Sequence, residues 1–355
     1  MQPTEPPIRT LVISLGLSPQ VVTETLWALG IELEPAWVPD EIVLITTSQG
    51  ARVAEATLLN AGEGRIRALA AEYGRDDLAR AAENVRIELI GDEVARFEDV
   101  DTERAHGAAA DRTMQLIRDL TTDDRRQVHA SIAGGRKSQG ALLALSMSLF
   151  AKPGDSLSHV VVDDAFAGRP DFFFPPARPT TFAGRDGERL DSARARVRLA
   201  PIPFPRIRAL LPEEARHAER FADAVLGVQR RLDPPTLTLL PLRRHAILAG
   251  TDLDLPPSLF AWLAALAWER GPSGDGLPRN GLAGATVERW RPLAPRLPNL
   301  VDPEMVEEWT SRLNKLVRVD VPAMAGRKLI GTAGKRPNTR YRLLIEPEDI
   351  SWQDP

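Results

Sequence analysis

Five short runs rich in branched apolar residues dominate the first half of the chain: Ile8 to Leu15, Glu41 to Thr46, Val85 to Ile90, Gln127 to Ile132 and Ser158 to Asp163. Segments with helical periodicity separate them, at Gln20 to Gly30, from Ala51, at Arg65 to Tyr73, Asp76 to Asn84, Ala105 to Leu120 and Lys137 to Ala151. Strands alternating with helices predict an α/β fold, an open, mostly parallel sheet with helices on both faces. In such sheets ligands bind beyond the carboxyl ends of the strands, so the turns that follow the strands are where function is expected.

One of these turns stands out. Ser131-Ile132-Ala133-Gly134-Gly135-Arg136-Lys137-Ser138 joins a predicted strand to a predicted helix. A helix N-terminus carries unpaired N–H groups and partial positive charge, adjacent glycines allow close backbone approach, and Arg136 and Lys137 add full charges. Two consecutive cations at a helix N-terminus oppose the macrodipole, which points to an anionic partner; the alternative is a glycine-rich turn that only makes room for packing. The phosphate loop of NTPases requires Gly-Lys-Ser/Thr in sequence, and Arg136 interrupts it. The dinucleotide fingerprint fails too, because Gly134 and Gly135 are adjacent and the next glycine is Gly140.

Two further turns converge on the same edge, Ser14-Leu15-Gly16-Leu17-Ser18 and Thr46-Thr47-Ser48-Gln49-Gly50. Ser18 is expected to cap the first helix, with Pro19 at its first position. Hydroxyls, backbone amides and a cationic pair suit a phosphate-bearing ligand, although each hydroxyl taken singly is also an ordinary helix cap.

Composition limits the chemistry. There are no cysteines, which removes thiol nucleophiles, disulfides and thiolate metal sites, and the five histidines show no ligand spacing. No metal and no cofactor are therefore expected. Asp163-Asp164 lacks a third ligand in register and is read as the end of a strand. The apolar runs are short and broken by charge, and the N-terminus lacks a secretory layout, so a cytoplasmic protein with no membrane partner is expected. At 355 residues two domains are expected. The net charge of −4 hides a basic C-terminal stretch: Thr310 to Arg342 holds nine basic residues against the single acid Asp320.

Beyond Asp164 the pattern changes. The aromatic strip Phe172-Phe173-Phe174 beside Pro175-Pro176 is expected to pack on a core or on a partner. A proline-rich stretch reaches Pro205. Helices are then predicted at Pro212 to Leu232, Pro257 to Glu269 and Pro303 to Val317, with strands at Thr236 to Leu240 and His245 to Ala249. A proline- and glycine-rich insertion covers Gly271 to Pro298, and a hairpin is expected between Leu329-Ile330-Gly331 and Thr339 to Ile345. That order resembles a winged helix-turn-helix. Arg312, Asn314, Lys315 and Arg318 on the last helix and Lys335, Arg336 and Arg340 on the wing are the DNA-binding candidates; a dimer or protein-contact module remains the alternative.

Taken together, the residues resemble the CRISPR-associated Rossmann-fold (CARF) proteins of type III CRISPR systems, in the branch that adds a C-terminal winged helix. The likeness lies in Leu15 to Leu26 (LGLSPQVVTETL) and in Ser131 to Lys137, with Leu157-Ser158-His159-Val160 and Phe172 to Pro176 downstream. It spans about Ile8 to Pro176. It implies a Rossmann-like CARF domain over residues 1–176, a linker at 177–211 and a winged-helix domain at 212–355. It also implies a homodimer that binds a cyclic oligoadenylate messenger across its two-fold axis, which suits a ring with an even number of nucleotides; cyclic tetra-adenylate comes first and the six-membered ring second. Ser14, Gly16, Leu17, Ser18, Thr46, Thr47, Ser48, Ala133, Gly134, Gly135, Arg136, Lys137 and Ser138 are the implied ligand-binding residues. The Arg-x-x-x-x-His signature of the commonly attached ribonuclease is absent. A sensor with a winged-helix output is thus implied, or alternatively a metal-independent ring nuclease. In that enzyme a ribose 2′-hydroxyl attacks its own phosphodiester, Lys137 stabilises the transition-state charge, and Ser14 or Ser18 fixes the ribose.

Overall fold

The computed structural model describes residues 6–62, 64–183, 189–270, 276–278, 291–292, 302–334 and 338–353. The chain divides into two compact units, Met1–Leu211 with Ala218–Phe221, and Pro212–His217 with Ala222–Pro355.

The first unit is built on a six-stranded sheet. Its strands are β1 (Ile8–Ser14), β2 (Glu41–Thr46), β3 (Val85–Leu89), β4 (Arg126–Ser131), β5 (Ser156–Val162) and, two short strands later, β8 (Val197–Pro201). Strands β6 (Thr181–Ala183) and β7 (Arg189–Asp191) form a separate antiparallel pair. The order in the sheet is β3-β2-β1-β4-β5-β8, parallel throughout except for β8, which pairs antiparallel with β5. Leu11, Val12 and Ile13 of β1 are fully buried, as two-sided coverage of a parallel strand requires.

The helices follow the predicted alternation: α1 (Gln20–Trp27), α2 (Ser48–Thr57), α3 (Arg65–Tyr73), α4 (Asp76–Glu83), α5 (Glu103–Thr122) and α6 (Lys137–Phe150). Helix α2 starts three residues before the expected Ala51 because the Thr47 hydroxyl accepts a hydrogen bond from the Gly50 N–H and caps it. Ser18 does not cap α1: Pro19 holds the cap position with helical backbone angles and no side-chain bond.

The segment 177–211 was expected to be a linker, but β8 lies within it. Its Val197 to Pro201 register against Val162 to Ser158 completes the sheet, and the turnover of alternating residues in a single edge strand carries too little periodicity to stand out among prolines and arginines. The aromatic strip is core. Phe172 is 1% exposed and packs with Phe166 and Phe182 at ring centroid distances of 4.9 and 5.9 Å. The loop is pinned to α1, where the Thr23 hydroxyl donates to the Phe173 carbonyl (2.7 Å) and the Gln20 amide to the Arg169 carbonyl (3.0 Å). Asp163 does follow the end of β5, and its carboxylate lies 3.6 Å from Arg198.

In the second unit the expected helix Pro212 to Leu232 divides into α7 (Glu213–Arg216) and α8 (Phe221–Leu232). Strands β9 (Leu237–Leu240), β10 (His245–Leu248), β11 (Thr251–Leu253) and β15 (Ile350–Trp352) form one sheet in the order β11-β10-β9-β15. After α9 (Pro257–Arg270) comes β12 (Leu277–Pro278), then α10 (Pro303–Asp320), β13 (Ile330–Ala333) and β14 (Arg340–Leu343). These last three strands pair antiparallel in the order β12-β14-β13. Most of the insertion expected at Gly271 to Pro298 lies outside the described residues, as do Lys335 and Arg336. Helix α10 begins at Asp302, whose carboxylate accepts from the N–H groups of Glu304 and Met305 (2.9 Å each). Trp262 of α9, 2% exposed, donates to the Thr310 hydroxyl of α10 at 3.1 Å and so locks the two helices. Among the described residues no helix is long and apolar enough to cross a membrane.

His129 and Glu24 are among the ionisable groups buried beside the first sheet. His129 of β4 lies between the hydroxyls of Ser156 and Ser158, each 2.7 Å from a ring nitrogen, and burial lowers its pKa to about 4. Glu24 of α1 is 4% exposed, and desolvation raises its pKa to about 7. A carboxyl with a raised folded pKa contributes stability that is complete below the unfolded value near 4.5 and is lost as pH rises towards 7. Glu24→Gln is therefore expected to gain stability relative to the native chain as pH goes from 5 to 8, by roughly 2 kcal/mol in urea midpoints converted to free energy; a pH-independent difference would show that Glu24 ionises normally.

Candidate ligand-binding site

Strand β1 has β2 on one side and β4 on the other; from β1 the order runs outward through β2 and β3 on one side and through β4 and β5 on the other, so it reverses at the β1/β4 boundary. A crevice is expected beyond the carboxyl ends of these two strands. The structure places an open cavity of about 240 Å³ there, lined by Leu15, Gly16, Leu17 and Ser18 after β1, Thr47 and Gln49 after β2, Asp99 between β3 and α5, and Ala133 to Arg136 with Gln139 after β4.

Glycine makes this convergence sterically feasible. A Cβ on Gly16 would stand 2.9 Å from the Gly135 Cα, and one on Gly134 would stand 2.4 Å from the Ser14 carbonyl oxygen. Gly135 has φ +78°, in the left-handed region that favours glycine. At the neighbouring turn a Cβ on Gly50 would come 2.1 Å from Thr46 Oγ1 and 3.1 Å from the Gly16 carbonyl. The three turns thus touch backbone to backbone.

The start of α6 is organised from within. The Gln139 side-chain oxygen accepts from the Arg136 N–H at 2.7 Å, closing the first turn in the manner of a capping box. The Gln139 amide nitrogen and the Ser14 hydroxyl are both buried without a partner among the described residues, and both side chains lie beneath Gly135, close enough to crowd any Cβ there. The Arg136 guanidinium faces Asp99 with two parallel hydrogen bonds, Nε to Oδ1 at 2.8 Å and Nη2 to Oδ2. That fork holds the Asp99 carboxyl at a pKa of about 2.

The expected binding residues fall into three groups. Gly16, Leu17, Ser18, Thr47, Ala133, Gly134, Gly135 and Arg136 line the cavity. Ser14 and Thr46 do not: Ser14 is 1% exposed beneath Gly135, and the buried Thr46 hydroxyl donates to the Leu15 carbonyl at 2.8 Å, bracing the first turn against the second. Ser48, Lys137 and Ser138 sit at the first positions of α2 and α6, outside the lining. The Ser48 N–H donates to the Phe97 carbonyl (2.9 Å), and Lys137 is exposed, its ammonium with no ion pair or hydrogen bond among the described residues. Sequence reasoning passed over Asp99 and Gln139, and it placed Gln49 in the second turn without naming it as a binding residue. Gln139 had a legible signal, a glutamine three residues after the cap position; Asp99 had none, being 37 residues from its partner on an unrelated loop.

In the second unit the expected contact residues also separate. Arg312, Lys315 and Arg318 are exposed along one side of α10, Arg312 pairing with Glu308 at 3.3 Å. Asn314 is structural: its carbonyl accepts from the Leu329 and Ile330 N–H groups and its amide donates to the Ile330 carbonyl, which ties α10 to β13. Arg340 donates to the Gly276 carbonyl at 2.7 Å.

The profile of a family described as CRISPR-associated protein NE0113 matches residues 18–233, more than half of the chain. No curated protein matches. Among solved structures, Enterococcus italicus Csm6 bound to cyclic hexa-2′-fluoro-hexa-dAMP shows 14% identity and a TM-score of 0.25, over 43% of this chain and 33% of that one. The chain spans about a third of the length of that protein, and at this TM-score the likeness carries no argument.

The glycine contacts make a direct prediction. Gly134→Ala forces a methyl group against backbone that has no room to yield, and is expected to cost about 1–3 kcal/mol of unfolding free energy. Gly62→Ala, where nothing lies within 4 Å, is expected to leave stability within about 0.5 kcal/mol of the native chain. Equal denaturation midpoints for the two variants would rule out the close approach.

Proposed function

Because the chain belongs to the CRISPR-associated protein NE0113 family, whose profile spans the whole cavity-bearing sheet after its first strand, we propose that the cavity at the β1/β4 boundary is the receptor site of a cytoplasmic cyclic oligoadenylate sensor in type III CRISPR defence. The observation that carries the reading is the meeting of three strand-end turns around one cavity, with glycine backbone, the N-terminus of a fourteen-residue helix and the Arg136 guanidinium together. Backbone N–H groups at a helix start hold phosphate oxygens, glycine lets the ligand's own backbone come close, and Arg136 and Lys137 supply charge. A 240 Å³ cavity is too small for a whole cyclic tetranucleotide, whereas two such cavities facing each other across a two-fold axis present every turn twice. Cyclic tetra-adenylate bound by a homodimer is the form proposed, with the six-membered ring second.

Lys137 contributes as a free cation beside the phosphate path. In a second reading the same ammonium stabilises the charge that develops when a ribose 2′-hydroxyl attacks its own phosphodiester; its having no competing partner among the described residues favours that role. Ser18 at the cavity wall, rather than the buried Ser14, is then the hydroxyl placed to touch ribose.

The second unit is the output on this proposal. Two helices and a β12-β14-β13 antiparallel sheet follow the element order of a winged helix, and Arg312, Lys315 and Arg318 give α10 an exposed basic face suited to phosphates of DNA.

Lys137→Ala is expected to remain folded and to lose tenfold or more in affinity for cyclic tetra-adenylate by titration calorimetry; unchanged affinity would remove Lys137 from the site. With EDTA present, chromatography of the same mixtures is expected to return the intact ring from a sensor, whereas linear di-adenylate ending in a 2′,3′-cyclic phosphate would establish cleavage. Replacing Arg312, Lys315 and Arg318 together by Glu is expected to abolish a gel shift on DNA upstream of the protein's own operon. A shift that survives the triple change would assign that face to something other than DNA.

A further inference from the structure

Among the described residues, Asp99 is the one acid and Arg136 the one cation lining a cavity whose other walls are apolar, amide, hydroxyl or backbone groups. An anionic ligand entering such a cavity meets two costs: repulsion from the Asp99 carboxylate, and an Arg136 whose donor fork is already occupied. Both costs vanish if Asp99 leaves.

The segment carrying Asp99 is constructed as one piece. The Asp92 carboxylate accepts from the Val94 and Ala95 N–H groups (2.9 and 3.0 Å) and from the Arg104 guanidinium (2.7 and 2.9 Å), and Gly91 bridges to Arg96. This compact loop reaches the cavity through two sets of contacts. Towards α2 the Phe97 carbonyl accepts from the Ser48 N–H, and Glu98 pairs with Arg52 at 2.5 Å. Towards α6 the hydrogen-bonded ion pair among the described residues is that of Asp99 with Arg136, and the charge of Asp101 acts on the same guanidinium without a hydrogen bond. The two side chains of that pair are 52% and 42% exposed. Water screens such a pair, so it holds the loop weakly and exchanges readily for a better anion. The two non-bridging oxygens of a phosphodiester can likewise accept both N–H donors of a guanidinium edge.

We propose that Asp99 is the resident counter-anion of Arg136, and that a phosphate of the incoming ligand takes its place on the guanidinium and frees the loop between β3 and α5 from the start of α6. The proposal rests on the reading of the cavity as a cyclic oligoadenylate site and adds to it a residue that sets affinity by competing with the ligand. It also supplies a ligand-dependent change, since the loop has different partners in the empty and filled states, as any ligand-driven shift requires.

The test is a double-mutant cycle on the full chain, titrated with cyclic tetra-adenylate by calorimetry. Asp99→Asn keeps the size of the side chain and an oxygen for the Val100 N–H, at 2.7 Å from Asp99 Oδ1 in the native chain. It is expected to bind about three- to tenfold more tightly than the native chain. In an Arg136→Gln background the same change is expected to give less than half of that gain, because the competition no longer exists. Native affinity in Asp99→Asn, or an equal gain with and without Arg136, would overturn the counter-anion role while leaving the site itself intact. Failure of the native chain and of Asp99→Asn alike to bind the ring would instead overturn the site assignment and the proposal with it. Hydrogen exchange supplies a second readout: amides from Phe97 to Val100 are expected to exchange faster when the ligand is added, and slower exchange there would mean that the loop closes on the ligand rather than being displaced.

Discussion

The first unit depends on backbone meeting backbone where the turns after β1 and β4 cross. Gly16 lies against Gly135 and Gly134 against the Ser14 carbonyl, at separations that leave no space for a side chain. Because β1 and β4 are adjacent and parallel, their turns must pass each other at the carboxyl edge of the sheet, and side chains there would hold them apart. With glycine they close, which brings the start of α6 and its Arg136 within reach of groups carried by β2 and by the loop before α5. The cavity is what remains between turns packed this tightly.

The same contact explains why polar side chains beneath the cavity are structural. Thr46 spends its hydroxyl on the Leu15 carbonyl and Thr47 on the Gly50 N–H, so both brace the turns that form the wall. Gln139 closes the first turn of α6 with its oxygen. The polar groups that the cavity wall still offers include backbone, the Ser18 hydroxyl, the Gln49 side chain and the Arg136–Asp99 pair. On the proposed function, a receptor of this composition would recognise a phosphate-bearing ring mainly by shape and charge. An acid among its wall groups accordingly has more influence on affinity than any single neutral contact.

Two of the buried ionisable groups, His129 and Glu24, behave oppositely with pH. His129 stays neutral between two serine hydroxyls and disfavours the fold only as pH drops through 6.5 towards 4, while Glu24 disfavours it as pH rises towards 7. Their windows overlap, so the native chain is expected to have a flatter stability profile than either group would give alone. Both sit on elements that carry cavity turns, β4 and α1, which links the rigidity of the site to a well-buried support.

Much of this was legible in the amino-acid order alone. Five of the six strands of the first sheet, the position of α6 and the three turns that meet at the cavity follow from local periodicity and turn chemistry, because apolar spacing and glycine pairs act within a few residues of themselves. The edge strand β8, the inward rotation of Ser14 and Thr46, and the structural use of Asn314 were decided by tertiary structure. Each depends on partners dozens of residues away or on which side of a strand faces the core. The pairing of Asp99 with Arg136 belongs to the same class. Nothing near either residue announces it, and it exists because the sheet order sets the loop after β3 beside the helix after β4. Sequence determined that an anion-seeking loop stands at the end of a parallel strand; only the folded chain determined that an acid already occupies it.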